Sequence, residues 1–594
     1  MYRLADYVIS YLASVGVKDI FTVSGGGSIF LNDALGQSSI NYYCCHHEQA
    51  VSMASEAYAR VKGDLGVSMV TSGPGGTNAV TGVAGCWIDS VPNLTISGQV
   101  YLGQTIGDSG LRQLGVQEIN IVDIVKPITK YAVMVRDPNR IKYHLQKAIY
   151  LAKNGRPGPV WIDIPADIQR MQIDQDALDE FIPDNQPAIF ESNLHEKIKE
   201  VVKLLRASKR ILIHVGQGVK ISKAETDFID LVEEYNIPFV TARNANDIVE
   251  SNHALYVGRP GTYGQRGANF AIQNCDLYLA IGTRLALAQT GYASHDYARS
   301  AKKIIVNIDS NELNKKTILA DISIHSDAQV FITELKKQLS GISINISKWL
   351  SRCQNWKKKY PVVLSKYKKQ THLINSYYFI DILSNLLTSE DVIVTDMGIA
   401  FQGTHQAFKV KKGQKLFTNS GFAAMGWGLP AAVGACIAHG CQRTICISGD
   451  GGFQMNMQEL ATIMHNQLPV KLFILNNNGY LTIKQTQQHG FDGRLMGCNN
   501  ESGLSFPDVL QLASAYEIMA VRIDNQENLE QRIEQILNCS HPAICEIIMD
   551  QDQEQIPKVV NSINDDGSVK VRKFEDMYPY LKSDEFKSNM LLDE

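Results

Sequence analysis

A chain of 594 residues is too long for one hydrophobic core, so we expect roughly three domains. With 44% hydrophobic and 20% charged residues and a formal net charge of -4, its composition gives no indication of nucleic acid or a membrane as a partner. No apolar run approaches the roughly 20 residues that span a bilayer, and the eleven cysteines contain no CxxC pair, so we expect a cytoplasmic protein.

The N-terminal segment, residues 1–180, alternates short β-branched runs with helical stretches. Apolar residues at helical spacing from Leu4 to Val15 predict an amphipathic helix and no signal peptide. The pattern that follows is typical of βαβ units around a parallel sheet. We predict strands at Asp19–Val23, Tyr42–Cys45, Gly66–Thr71 and Asn93–Ser97, and helices at Glu48–Lys62 and Gly76–Trp87.

Two more α/β segments follow a polar linker around Ile182–Pro187. They cover residues 190–345 and 370–550, and their pattern again indicates parallel sheets. We predict strands at Arg210–Val215, Pro238–Thr241, Asp276–Ile281, Lys303–Ile308, Val392–Thr395, Thr444–Ser448, Val470–Leu475 and Ala543–Met549. The predicted fold is therefore α/β, with three doubly wound parallel-sheet domains.

Two stretches lie outside these domains. The basic stretch Trp356–Lys369 is either a patch for an anionic partner or a solvated helix or linker face. The tail, residues 551–594, is charged and carries an aromatic cluster that either closes over a site or docks on the surface. The members of this cluster are Phe574, Met577, Tyr578 and Tyr580.

Polar residues follow two predicted strands of the third segment. Gly449-Asp450-Gly451 ends one strand, and Asn476-Asn477 ends the next. Open α/β sheets bind ligands at this edge, and Mg²⁺ is usually held there by one or two carboxylates together with phosphate oxygens. We predict a magnesium site formed by Asp450, Asn477 and the backbone of Gly479.

A second polar signal is Glu48, which follows His47 at the start of the predicted helix Glu48–Lys62. A glutamate in a first helical turn often only stabilises the helix dipole. This helix is rich in alanine and methionine, so we expect Glu48 to enter a largely apolar environment that raises its pKa. A carboxyl group of that kind is suited to proton transfer.

The chain resembles the thiamine-diphosphate enzymes of the acetolactate synthase branch over roughly residues 1–550. Besides the Glu48 and Asp450 motifs, the resemblance is carried by residues 72–78 (SGPGGTN), 155–165 (GRPGPVWIDIP) and 421–430 (GFAAMGWGLP). It implies a pyrimidine-binding first domain, a central domain and a diphosphate-binding third domain. It also implies that the cofactor lies between subunits of a homodimer or homotetramer.

The resemblance implies that Glu48 contacts the pyrimidine ring of the cofactor and that Met425 bends the cofactor. It also implies that the Ala423 carbonyl orients the amino group of the cofactor. Gln117 is implied to lie in the substrate pocket, next to position 116, where Phe would be expected. Glu48, Gln117 and Met425 are the implied catalytic residues. The cofactor-binding residues assigned are Gly25, Gly26, Ser72, Gly73, Pro74, Asn78, Gly398, Ala423, Met425, Gly449, Asp450, Gly451, Gly452, Asn477, Gly479, Tyr480 and Leu481.

The resemblance implies a carboligase that decarboxylates pyruvate and transfers the acyl unit to a second carbonyl compound. Alternatives are a 2-keto-acid decarboxylase that releases the aldehyde and a flavin-linked pyruvate oxidase. Two departures concern ligand contacts: Ile399-Ala400-Phe401 replaces a Gln-His-Gln run, and Thr486 replaces a pocket tryptophan. Because an indole is large, its loss suggests an acceptor larger than pyruvate, such as a keto-sugar.

The central domain resembles domains that hold FAD without redox function, but Ala286-Leu287-Ala288 replaces an Asp-Asp-Arg run. Three alternatives stay open: FAD, an adenine nucleotide, or an empty structural domain. The candidate FAD residues are Gly216, Gly218, Gly261, Thr262, Gly282, Thr283, Arg284, Asp309 and Asp327.

Overall fold

The computed structural model describes residues 2–183, 193–560, 562, 563, 566, 569, 570 and 572–591. Three parallel sheets of six strands each are flanked by helices, as predicted. Each sheet falls within one of the predicted domain segments, whose boundaries remain predictions. Of the predicted linker Ile182–Pro187, residues 184–187 lie outside the described residues.

The first sheet is built from strands that are short and mostly buried. The strands of the first domain are, in chain order, β1 Tyr2–Arg3, β2 Asp19–Thr22, β3 Asn41–Cys44, β4 Gly66–Val70, β5 Asn93–Gln99, β6 Tyr131–Met134, β7 Pro159–Pro165 and β8 Gln172–Ile173. The sheet order is β3-β2-β4-β5-β7-β6, while β1 pairs with β8. Its helices are Leu4–Ser14, Ile29–Gly36, Glu48–Lys62, Pro74–Asp89, Ile121–Val125, Ile141–Lys153 and Ala166–Arg170.

The central sheet has the order β11-β10-β9-β12-β13-β14. Its strands are β9 Ile211–Val215, β10 Phe239–Thr241, β11 Tyr256–Gly258, β12 Leu277–Ile281, β13 Lys302–Asn307 and β14 Ile322–His325. Its helices are Leu194–Ala207, Gln217–Ile221, Glu225–Tyr235, Arg266–Asn274, Leu287–Thr290, Ser310–Leu313, Ala328–Leu339 and Ser347–Lys359. The strand order reverses between β9 and β12, which is where doubly wound sheets bind nucleotides.

The third sheet repeats the strand order of the first, as β16-β15-β17-β18-β20-β19. The strands from residue 392 onward are β15 Val392–Thr395, β16 Lys415–Phe417, β17 Thr444–Gly449, β18 Val470–Asn476, β19 Met519–Ile523, β20 Ala543–Ile548, β21 Ser562–Ile563 and β22 Val569–Lys570. The helices are Ser365–Lys368, Ser376–Leu386, Ile399–Ala407, Gly428–Ala438, Asp450–Met455, Glu459–His465, Leu481–Gly490, Val509–Ala515, Leu529–Leu537 and Ser583–Ser588.

The first and third domains share one hydrophobic core. Helix Glu48–Lys62 packs against helix Gly428–Ala438, whose residues are all buried. The two helices lie so close that a Cβ atom on Gly434 would be 1.9 Å from the carbonyl oxygen of Ala54. Small residues on both helices therefore fix the position of Glu48, the first residue of its helix, relative to the third domain.

Three sequence predictions are corrected or decided here. The amphipathic helix ends at Ser14, so Val15 lies outside it and is exposed. The basic stretch begins inside helix Ser347–Lys359, where Trp356 is buried against the central core. The tail docks on the central domain, because Phe574 and Met577 are buried there. No helix in the described part of the chain is long and apolar enough to cross a membrane.

Candidate active site

The first half of the candidate site is a cavity of about 550 Å³ at the carboxyl ends of the first sheet. Of the predicted residues, Gly26, Ser72 and Gln117 line it. Gly73 has φ +59, and a Cβ atom there would be 2.0 Å from the carbonyl oxygen of Gln117. A Cβ atom on Gly25 would be 2.6 Å from the side chain of Thr71. The glycines therefore let the three loops approach each other.

Glu48 is the first residue of its helix, as predicted, and His47 caps that helix by accepting a hydrogen bond from the backbone N–H of Gln49. Asn78, in helix Pro74–Asp89, donates its side-chain N–H to Glu48 Oε2 at 2.9 Å. The Glu48 side chain is partly exposed. The prediction that Glu48 enters an apolar environment is thus wrong for the single chain, because the buried residues of the helix begin at Ala50.

The second half of the site surrounds Asp450 at the end of β17. Asp450 is 4% exposed, and its carboxylate accepts hydrogen bonds from the backbone N–H of Gly451 (2.8 Å) and of Gly479 (3.0 Å). Burial raises the pKa of Asp450 to about 6, although these backbone donors oppose the shift. Asn477 is also buried, at the end of the neighbouring strand β18. The predicted metal residues therefore lie on adjacent strand ends.

The remaining predicted residues of this half surround the same loops. A Cβ atom on Gly451 would be 2.3 Å from the ring of Tyr480 and 3.4 Å from Met425 Cε, so both side chains lie over this glycine. Leu481 is buried at the start of its helix. Ala423 has φ +60, a conformation that costs an alanine about 1–3 kcal/mol and is typical of functional sites.

Gly398, Gly449 and Gly452 complete the backbone at this edge. Gly398, with φ +71, precedes helix Ile399–Ala407, and Gly449 precedes helix Asp450–Met455. Neither helix is capped by its N-cap side chain, and backbone N–H groups in the first turn of a helix can bind an anion. A Cβ atom on Gly452 would be 2.7 Å from the carboxylate of Asp396. The structure therefore brings the three glycines to one edge of the third sheet, and their role in binding diphosphate remains a prediction.

Comparison with known proteins covers almost the whole chain. Residues 2–124, 198–335 and 396–547 match the models of the thiamine pyrophosphate enzyme N-terminal TPP binding domain, central domain and C-terminal TPP binding domain. The acetolactate synthase large subunit of Cyanidium caldarium is 34% identical over 93% of this chain and 94% of its own length. The chain belongs to the thiamine-diphosphate-dependent enzymes of the acetolactate synthase type.

Two bacterial relatives have the same extent of similarity. The acetolactate synthase large subunit of Lactococcus lactis is 32% identical over 95% of this chain and 96% of its own length. The acetolactate synthase isozyme 2 large subunit of Escherichia coli is 31% identical over 93% of this chain and 97% of its own length. The predicted family and the predicted fold are thus confirmed.

The residues at Asp450 fit thiamine diphosphate held through Mg²⁺. Asp450 is a buried carboxylate without an ion pair among the described residues, and such a charge is costly until a cation compensates it. No group of three or more His, Cys, Asp or Glu residues in the described ranges could hold a metal ion. An ion here would need amide, backbone and phosphate oxygens, which are the ligands that Mg²⁺ commonly takes in proteins.

The departures noted in the sequence affect two regions of this synthase-type site. Ile399, Ala400 and Phe401 are all buried in the first turn of their helix, so their side chains pack inward. Thr486 donates its hydroxyl to the backbone carbonyl of Thr482 on the surface of helix Leu481–Gly490. A short side chain there leaves open the space that an indole would fill.

The candidate FAD residues are only partly brought together. Gly218, Gly282, Thr283, Arg284 and Asp327 line a crevice of about 230 Å³ where the central strand order reverses. This volume is below the roughly 300–1,000 Å³ of usual ligand pockets. Gly216 packs directly on Gly282, so backbone contact already explains that glycine.

The other candidates lie outside the crevice. Gly261 exchanges hydrogen bonds with Asn269, and Thr262 donates to the carbonyl of Ala288. Asp309 is paired with Arg156 at 2.8 Å. The set as a whole therefore does not fit FAD, and we derive no chemistry from it.

A buried polar network beside the loop of Ala423 was missed by the sequence predictions. Glu56 accepts hydrogen bonds from Arg60 (2.6 Å), Asn419 (3.1 Å) and Trp427 (2.8 Å), and Arg60 also pairs with Asp89 at 2.9 Å. Asn419 and Trp427 flank the loop that carries Ala423 and Met425. The four-residue spacing of Glu56 and Arg60 on one helix was the only signal in the sequence.

Proposed function

We propose that this chain is a carboligase that decarboxylates a 2-keto acid, pyruvate, and transfers the acyl unit to a second carbonyl compound. The observation that carries the proposal is the pair of intact half-sites, Glu48 held by Asn78 and the buried Asp450 with Asn477. The names of the acetolactate synthase relatives support pyruvate as the donor.

Thiamine diphosphate supplies, when bound, a positively charged thiazolium ring that would accept the electron pair freed as a keto acid loses CO₂. We assign the hydrogen bond to its pyrimidine ring to Glu48, whose Oε2 is oriented by Asn78. Asp450, Asn477 and the backbone of Gly479 would hold Mg²⁺. Met425 would act as the wedge under the cofactor, since it lies over Gly451 at the diphosphate end.

We also propose that the working unit is at least a homodimer, either two or four subunits. The cavity at Gly26, Ser72 and Gln117 is lined only by residues of the first domain within one chain. Tyr101, Leu111, Leu114 and Val116, beside this cavity, are exposed apolar side chains. A second subunit would cover these side chains and bring its own diphosphate half to the cavity.

We also propose three finer assignments. The small, exposed Thr486 supports a bulky acceptor such as a keto-sugar. The reversal point of the central sheet supports an adenine nucleotide there, with an empty structural domain as the alternative, and a search for nucleotide released on heat denaturation distinguishes them. All eleven cysteines are free, which supports a cytoplasmic location.

The test is incubation of the enzyme with pyruvate, thiamine diphosphate, Mg²⁺ and a panel of 2-keto acids, aldehydes and keto-sugars, followed by mass spectrometry. We expect an acyl-transfer product with at least one acceptor. Acetaldehyde alone would contradict the proposal in favour of a decarboxylase, and reduction of a bound flavin would indicate an oxidase.

Glu48→Gln should abolish this turnover while cofactor binding persists, because the amide keeps the shape of the side chain but cannot hold the negative charge. Glu530→Gln, an exposed position on helix Leu529–Leu537, is the matched control and should leave turnover unchanged. Activity of Glu48→Gln equal to that of the control would remove Glu48 from the mechanism.

A further inference from the structure

A second cavity, of about 760 Å³, lies between the central and third domains. None of the residues assigned to the candidate active site lines it. The central domain contributes Arg259, the basic stretch contributes Lys357 and Lys368, and the third domain contributes the segment from Phe408 to Lys412. The basic stretch singled out in the sequence thus forms one wall of this cavity.

Two cations at the floor of this cavity have no carboxylate partner among the described residues. Arg259 is 1% exposed, and its guanidinium donates to the backbone carbonyls of Thr404 (3.1 Å) and His405 (2.9 Å). Lys357 donates to the carbonyls of Ser251 (2.8 Å) and Tyr256 (2.7 Å). Burial and then the charge of Arg259 lower the pKa of Lys357 to about 8.

Arg259 also donates to the hydroxyls of Tyr256 (3.3 Å) and Ser251 (3.5 Å), and the Lys357 ammonium lies 5.0 Å from the centre of the Tyr256 ring. All these partners are neutral, so the two cations carry an uncompensated charge, which is costly in a protein interior. The two positive charges also repel each other, as the lowered pKa of Lys357 indicates. An anion in the cavity would remove both penalties. The floor therefore favours an anionic ligand.

The rim adds four more cations. Lys409 is paired with Asp381 at 2.5 Å, and Lys411 donates to the backbone carbonyl of Asn385 at 2.7 Å. Lys368 and Lys412 are exposed and have no ion pair among the described residues. With Glu250 and Asp381 as the two carboxylates of the lining, six cations leave a net formal charge of +4.

The uncharged part of the lining combines polar side chains such as Asn252 and Asn385 with an apolar wall. The wall includes Tyr256, Val257, Val362, Phe408 and Val410. The volume lies within the roughly 300–1,000 Å³ of pockets for small molecules. We propose that this cavity binds a small multivalent phosphate ester, a nucleoside di- or triphosphate. Its phosphates would extend from the floor cations, Arg259 and Lys357, to Lys368 and Lys412 at the rim, with its base against the apolar wall.

The test is isothermal titration of the holoenzyme, saturated with thiamine diphosphate and Mg²⁺, with ATP, inorganic tripolyphosphate or adenosine. We expect ATP and tripolyphosphate to bind and adenosine not to bind, with ATP the tighter ligand if its base packs as proposed. The double variant Lys368→Gln/Lys412→Gln should bind ATP at least about tenfold more weakly, since it loses two charge-assisted hydrogen bonds.

The matched control is Lys366→Gln/Lys369→Gln, which removes two exposed lysines of the same stretch that do not line the cavity. Both double variants change only exposed side chains, and circular dichroism and turnover check that each is folded. Absence of ATP binding by the unmodified enzyme would overturn the proposal. Equal ATP affinity of the two double variants would also overturn it, because ATP would then occupy another site, such as the crevice of the central domain.

Discussion

Glu56→Gln perturbs the buried network that links the first domain to the loop of Ala423 and Met425. The Glu56 side chain has no solvent exposure, and its two oxygens accept four hydrogen bonds from Arg60, Asn419 and Trp427. An amide has one oxygen, so its NH₂ group must face two donors in either orientation. The variant therefore loses the charge of the pair and two hydrogen bonds.

Breaking a buried ion pair by removing one partner costs about 3–5 kcal/mol. We expect about 3 kcal/mol here, the lower end of that range, because Arg60 keeps Asp89 at 2.9 Å. For a cooperative unit of about 150–250 residues, each kcal/mol lowers Tm by about 2–4 °C, which gives about 6–12 °C. Because Asn419 and Trp427 flank the cofactor loop, we also expect weaker thiamine diphosphate binding.

Thermal unfolding of the cofactor-free protein, followed by scanning fluorimetry at one fixed scan rate, measures this change. The control is Glu196→Gln, which removes an exposed carboxylate paired with Lys199 and should leave Tm unchanged. If Glu56→Gln unfolds at the same temperature as that control, the network does not stabilise the fold and the reasoning is refuted.

Two further predictions concern packing and pH. Gly434→Ala should lower Tm markedly or prevent folding, because the new Cβ atom would be 1.9 Å from the Ala54 carbonyl oxygen. The control Gly36→Ala should leave Tm unchanged, because nothing lies within 4 Å of a Cβ atom there. Equal Tm values for the two variants would contradict the close helix contact. Burial raises the pKa of Asp163 to about 7, above its ordinary 3.8, so the folded state favours the protonated carboxyl group. The stability that protonated Asp163 contributes is therefore fully present below pH 3.8 and is lost as the pH rises through 7. Asp163→Asn should therefore raise Tm at pH 8 more than at pH 5, and a pH-independent difference would contradict this.

Most of the buried strands, the edge strand β3 and the site helix could be predicted from the sequence, whereas the other edge strands of the three large sheets could not. Helix Glu48–Lys62 and strand β15 have the predicted bounds, since each carries an unambiguous apolar pattern. The prediction missed the edge strands β6, β11, β14, β16 and β19, and also the internal strand β7. The edge strands are three to five residues long, and β6 and β19 are largely half-exposed, so their local sequence lacks a strong apolar signal.

Within the site, the sequence could locate residues that act from the end of a strand or the start of a helix. Asp450 and Asn477 are examples, because the ends of parallel strands meet at one edge of a sheet. The Glu56 network could not be found in this way. Its bond to Trp427 joins two domains, and nothing local to either residue indicates that contact.

The most direct test of the central claim is the affinity of the purified chain for thiamine diphosphate in the presence of Mg²⁺, measured by isothermal titration. We predict saturable binding that is lost without Mg²⁺ and in Asp450→Ala, but is retained in Glu530→Gln. Absence of binding by the unmodified protein, or undiminished binding by Asp450→Ala, would contradict the account of this site.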